Sequence, residues 1–235
     1  MTYEEKVEEL YQSYLRSFDT SLGNIQREVT KLLSNYTTLT PTDAISIQTE
    51  IDRIYEDEYT PVINDTVNSF NTAWLLLLTL PSLKGTKIDK RVLNKVRKNA
   101  VTQFQSQATL IKSKLNAAIY NASIVGSRIA NIIVTSNDII KSNIGNPKAT
   151  IIDTFYKSTA TIVTYISGKA DIKKWKYVGP SDDKTRSWCS NHLGNEYTKS
   201  ELMSEWQSSW SGKSGSDPFL DRGGYNCRHH LEPVE

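Results

Sequence analysis

Apolar residues return every three or four positions over most of this chain, the period of a helix with one buried stripe. Tyr3, Val7, Leu10, Tyr11, Tyr14, Leu15 and Phe18 predict a helix over 3–18. Glu4, Glu5, Glu8 and Glu9 fall in its first turns, where negative charge favours the helix dipole. Leu22, Ile25, Val29, Leu32 and Leu33 predict a second helix over 21–36, ended by the Thr37–Pro41 stretch. Thr42 or Asp43 is the expected cap of a third, which runs through Ile47, Ile51, Ile54 and Tyr55. Pro61 should kink or restart it before it continues through Val67, Phe70 and Trp74 to Leu80 and stops at Pro81. From Lys87 to about Asn143 the same step continues with Gly126 as its one glycine. Ser, Thr and Asn crowd the polar face there, so packing must stabilise what intrinsic propensity does not. Gly145-Asn146-Pro147 reads as a stop, followed by a last helix over 149–167 that closes at Gly168.

Beyond 168 the period changes. Lys173 to Val178 alternates charge with rings and predicts a strand, followed by a Gly179-Pro180-Ser181 turn. Asp182 or Asp183 is the expected cap of a short helical turn carrying Arg186 and Cys189. Gly194-Asn195 marks a hairpin into Tyr197. Ser200 to Trp210 reads as a short amphipathic helix capped by Ser200, and Gly212 to Asp217 as a loop. Tyr225 to Leu231 should be a final strand lying beside the first. The expected fold is mainly α: a long helical bundle over 1–168, then a small C-terminal α+β knob over 169–235.

Charge divides the bundle. The net charge is only +2, but residues 1–83 hold 13 Asp/Glu against 5 Lys/Arg, and residues 84–148 hold 12 Lys/Arg against 2 Asp/Glu. The two segments either pack against each other or present the basic one to DNA or an acidic surface. Lys90, Arg91, Lys95, Arg97 and Lys98 are the candidate nucleic-acid contacts, although rings for base stacking are few there. The longest fully apolar run, 73–78, is far shorter than the roughly 20 residues a bilayer span needs, so no membrane partner is expected. Met1-Thr2-Tyr3-Glu4-Glu5 does not open a secretory signal, which points to synthesis in a cytoplasm.

Both cysteines and all three histidines lie in the last fifty residues. Cys189 and His192 are three apart, and Cys227 is followed by His229 and His230. Two short Cys/His pairs from separate segments are how four-coordinate zinc sites are assembled. Cys189, His192, Cys227 and His229 are therefore the candidate ligands of a structural zinc, the one cofactor the residues suggest. Two free buried thiols and a Cys189–Cys227 disulfide are the competing readings. On a strand His229 shares a face with Cys227, which leaves His230 to solvent or a partner. Asp182, Asp183 and Arg186 supply either an acid and an electrophile or a cap and a salt bridge. There is no phosphate-binding glycine loop, GxSxG or HExxH.

Asp182 or Asp183, Thr185, Arg186, Cys189, Gly194, Asn226, Cys227, Arg228 and His229 follow an order that resembles the C-terminal signature of the Mu F-like head morphogenesis proteins, minor capsid proteins of tailed bacteriophages. Where many members carry His-Pro before the closing cysteine, this chain has Gly223-Gly224-Tyr225. The resemblance covers about the last quarter of the chain. It implies a structural virion component made in the host cytoplasm and built into the phage head in several copies, near the portal vertex. The implied partners are the portal protein, the major capsid protein, or both. Two other functions compete with it. One is a zinc-dependent hydrolase or nuclease using the Cys/His set with Asp182 or Asp183 as base. The other is a DNA-binding packaging or ejection protein acting through 84–148.

Overall fold

A computed structural model describes residues 3–234. Four long helices come first: α1 (Tyr3–Leu33), α2 (Pro41–Leu77), α3 (Lys90–Ile124) and α4 (Ile129–Lys169), with a 3-10 turn at Pro81–Leu83. Then follow β1 (Lys174–Val178), α5 (Ser187–His192), β2 (Glu196–Thr198), α6 (Lys199–Glu205), α7 (Pro218–Asp221) and β3 (His230–Val234). The chain is mainly α, with a small antiparallel sheet at its C-terminal end.

Helix boundaries depart from the sequence expectation where a local signal competes with packing. α1 is one helix rather than two: Phe18, Leu22 and Ile25 stay in step across the expected junction, and all three are buried. α2 is capped by Thr40 rather than by Thr42 or Asp43. The Thr40 hydroxyl accepts from the Asp43 amide at 3.2 Å, and the Asp43 carboxylate accepts from the Thr40 amide at 2.8 Å, a reciprocal cap. Pro61 lies inside α2, its lost backbone bond offset by the burial of Tyr59, Val62 and Ile63 around it.

The interruption expected at Gly145-Asn146-Pro147 lies instead at Gly126. There α3 ends in a left-handed glycine (φ 66°), with the Ser127 amide on the Ala122 carbonyl and the Gly126 amide on the Ser123 carbonyl. This double closure requires a residue that tolerates positive φ, so the glycine decides the site. α4 runs as one element across 145–147; the side chains of 143–148 lie outside the described residues.

The contacts gather into two compact units. One comprises Gln12–Val67 and Val101–Lys148. In it Phe18, Ile25, Ile47, Ile51, Phe104 and Leu115 are fully buried. Tyr14 packs on Phe104 with ring centroids 5.6 Å apart, and Phe18 meets Tyr59 edge-on at 5.9 Å. The Ser21 hydroxyl donates to the Glu58 carbonyl at 2.8 Å. Lys112 of the basic segment reaches Asp52 of the acidic one at 2.8 Å, an exposed pair of small energetic weight.

The other unit comprises the chain up to Tyr11, Asn68–Ala100 and Ala149 onward. Phe70 stacks on Trp74 and on Phe155, and Tyr11 packs on Tyr156. The sheet has the order β2-β1-β3, both pairings antiparallel. β1 is central: Trp175 lies opposite Tyr197 and Pro233, and Tyr177 opposite Leu231. Trp175 and Tyr177 enter a core with Trp188, Cys189, Leu202, Trp206, Phe219, Cys227 and Leu231.

β3 returns beside β1, but it begins at His230 rather than Tyr225. Arg222, Gly224 and Asn226 all adopt positive φ (61°, 100° and 55°), which no strand tolerates. The segment before β3 is therefore a wound loop, tightened by the Cys227 amide on the Gly224 carbonyl at 3.1 Å. The cap of α6 lies two residues earlier than expected. Thr198 rather than Ser200 caps it in a box with Glu201, and it ends at Glu205, before Trp206.

Candidate functional site

The segment between β1 and α5 is organised by side chain to backbone bonds. Asp182 accepts from the Lys184 amide at 3.1 Å, and its own amide donates to the Thr185 hydroxyl at 3.0 Å. Thr185 in turn donates to the Pro180 carbonyl at 3.0 Å. Neither Asp182 nor Asp183 caps α5: the N-cap position is Arg186, with no side-chain cap bond, and Asp183 is exposed. Arg186 reaches across to the Tyr225 carbonyl at 2.5 Å, and Arg228 to Asp182 at 2.5 Å. Arg228 also lies 3.8 Å from Glu8 of α1. The Arg228 hydrogen bond, then its charge, holds the Asp182 carboxyl below the usual carboxylate range. Two guanidinium groups thus tie the wound loop before β3 to the turn before α5. Asn226 contributes through its backbone, since asparagine tolerates the left-handed conformation required there.

Those ties bring the cysteines together. Cys189 Sγ lies 3.9 Å from Cys227 Sγ, and Cys227 Sγ lies 3.5 Å from His229 Nδ1. The three donor atoms fall within 4.8 Å of one another, all on buried residues. Both cysteines are free thiols. The Tyr177 hydroxyl stands 3.5 Å from Cys189 Sγ and 3.6 Å from Cys227 Sγ, with its ring stacked parallel on that of His229. Gly223 completes the enclosure: a Cβ there would overlap both sulfurs and the Tyr177 oxygen.

His192 does not join the cluster. Its Nδ1 lies 2.6 Å from the Trp188 carbonyl, one turn back in its own helix, and its ring stacks on Trp188 at 3.9 Å. Its Nε2 faces Glu205 at 3.6 Å. The i, i+3 spacing does put Cys189 and His192 on one side of α5, but the aromatic stack and the local carbonyl hold the imidazole away from the sulfurs. His230 is not solvent-facing either. It is 2% exposed, its ring meets Tyr3 edge-on at 5.5 Å, and neither of its nitrogens has a hydrogen-bond partner.

The two thiols titrate as a pair holding one easily lost proton. The hydrogen bond to Cys227 and then burial push the Cys189 thiol up. Burial opposes ionisation of Cys227 as well, but the hydrogen bonds from Cys189 and His229 and the charge of Arg222 outweigh it and hold that thiol well below its ordinary value. Arg222 is fully buried; its Nη2 donates to Asp153 at 3.1 Å, while Nε and Nη1 are without partners. Burial, then the neighbouring sulfurs, raise Tyr177 and keep the phenol protonated.

Sequence reasoning missed Tyr177, Gly223 and Arg222. The Gly223-Gly224 pair was their one visible signal. A cleft of about 510 Å³ in this unit is lined by Glu5, Val7, Glu8, Tyr156, Gly179, Pro180, Arg228 and His230. Neither cysteine is among the residues that line it.

At the start of α3 the expected cationic cluster is on the surface. Lys90, Arg91, Lys95 and Lys98 are exposed and Arg97 is half-buried. Asp89 caps the first turn through the Arg91 amide at 2.8 Å and pairs with the Arg91 guanidinium at 2.7 Å. No described helix is long and apolar enough to cross a membrane. Comparisons with protein-family models, curated proteins and solved structures found no match to this chain.

Proposed function

We propose that this chain is a minor capsid protein of a tailed bacteriophage, a structural component of the head that acts in morphogenesis at the portal vertex. The observation carrying this reading is that the residues of the head-morphogenesis signature are used on one another. Asp182 binds Arg228 and Cys189 faces Cys227 in the buried core, while Arg186 reaches the backbone carbonyl of Tyr225, the residue before Asn226. A hydrolase needs its acid, base and metal beside a substrate cleft. Here the same residues brace the knob, which favours a binding module over an enzyme. The long helices would then supply the surface that meets the portal protein or the major capsid protein.

Mass spectrometry of gradient-purified particles tests the reading. The expected result is this chain in DNA-filled heads, retained through high-salt washing and captured with the portal protein on mild disruption. Its absence from particles, with the chain recovered only from the soluble lysate, would overturn it.

A further inference from the structure

We propose that the knob holds a zinc ion on Cys189 Sγ, Cys227 Sγ and His229 Nδ1, with the Tyr177 hydroxyl at the fourth corner. The first argument is geometric. Zinc bonds of about 2.3 Å to sulfur and about 2.0 Å to nitrogen or oxygen, at tetrahedral angles, put sulfur–sulfur edges near ~3.8 Å and sulfur–nitrogen or sulfur–oxygen edges near ~3.5 Å. The Cys189–Cys227 edge is 3.9 Å, the Cys227–His229 edge 3.5 Å, and the two Tyr177 edges 3.5 and 3.6 Å. A covalent S–S bond needs about 2.05 Å, so the pair is not a disulfide; its 3.9 Å separation is that of two thiols in contact and equally that of two sulfurs on one cation.

The second argument is electrostatic. Two thiolates side by side in a dry core are prohibitive unless a cation lies between them. Two thiolates, a neutral imidazole and a phenol around a divalent zinc carry no net charge. Loading it displaces the remaining thiol protons to solvent. The third is steric. Tyr177 on the central strand, Cys189 on α5 and the Gly223–His229 loop converge here, and a glycine stands where any Cβ would overlap the sulfurs. Burial of all three donors marks the site as structural, a clamp between elements far apart in sequence. The inference is independent of the capsid reading, since a knob of any function could carry such a clamp.

The test uses the untagged, reduced full-length chain. Elemental analysis should find about one zinc per chain, and cobalt titrated into the metal-stripped protein should give intense tetrahedral visible bands with sulfur-to-cobalt charge transfer. The chain has only two cysteines, so any such charge transfer reports this pair. Zinc should also protect both thiols from alkylation until a chelator is added. His229→Gln and Tyr177→Phe should each weaken zinc binding by about tenfold or more, while His192→Gln, which removes a histidine outside the set, should leave it unchanged. Should a variant fail to fold, the cobalt titration and thiol protection of the unaltered chain still decide. No bound zinc together with only weak octahedral cobalt bands would overturn the proposal. So would loss of the metal in His192→Gln to the same extent as in His229→Gln, or unchanged zinc affinity in Tyr177→Phe.

Discussion

Arg228 and Asp182, 46 positions apart, meet at 2.5 Å and lock the loop before β3 to the turn before α5. Arg228 is the more buried partner, and Asp182 is about one-third exposed. Solvent screening therefore limits the pair's worth, and Asp182→Asn should cost about 1 kcal/mol at neutral pH by urea denaturation. Because the folded carboxyl is held below its ordinary range, the stabilisation is present above that range and is lost as pH falls through it. The unaltered chain and Asp182→Asn should therefore converge in stability at low pH, where the carboxyl is protonated in both states.

Acid should destabilise the fold more strongly through His230. Burial, then the charges of His229 and Arg222, lower its pKa from the usual 6.5 to about 3, while Cys227 opposes the shift. Its other neighbour is the Tyr3 ring, itself kept protonated by burial and by the Glu232 carboxylate. The unfolded chain binds a proton below the ordinary histidine value and the folded chain does not, so stability is complete above about pH 6.5 and declines as pH falls toward 3. The full loss approaches roughly 5 kcal/mol. Urea midpoints measured from pH 7 to pH 4 should show this slope, and His230→Leu, which also removes two unpartnered nitrogens, should flatten it.

Gly223→Ala should be among the most disruptive single-methyl changes in the chain. The added carbon would overlap Cys189 Sγ, Cys227 Sγ and the Tyr177 oxygen, all three on buried residues. A loss of about 2 kcal/mol or more is expected from overpacking alone. The control Gly23→Ala, where a Cβ meets nothing within 4 Å, should be neutral or slightly stabilising, because alanine favours the interior of α1. Thermal unfolding of the two variants side by side checks this.

The start of α3 makes a prediction about DNA. Lys90 opens α3, where the helix dipole disfavours positive charge, while Arg91 is paired with Asp89 at the cap. Lys95 and Lys98 are exposed further along the same helix. If the packaging role holds, the chain should bind duplex DNA with a steep loss of affinity as salt rises. Replacing Lys90, Lys95 and Lys98 by Gln should lower the log–log salt slope by about 2–3. Binding that ignores salt, or none at low salt, would retire this role.

The helices, the change of architecture near 168 and the pairing of the knob's first and last strands follow from periodicity and composition, because those patterns report which side of each element is buried. That Cys189 and Cys227 belong together was legible for a similar reason: few other residues of their chemistry compete with them. Boundaries were less legible. A cap or a proline contributes a few kcal/mol at most, and the buried side chains around Pro61 and along α1 outweigh such signals, whereas at Gly126 the left-handed glycine prevails. The composition of the cluster was decided only in three dimensions. His192 lies one helical turn from Cys189 yet stacks on Trp188, while Tyr177, twelve positions before Cys189, supplies the hydroxyl beside both sulfurs. Spacing along a chain fixes which residues share a face. Which atoms meet depends on loop closure, here by Arg186, Arg228 and the positive-φ residues Arg222 and Asn226, and that closure exists only in the folded chain.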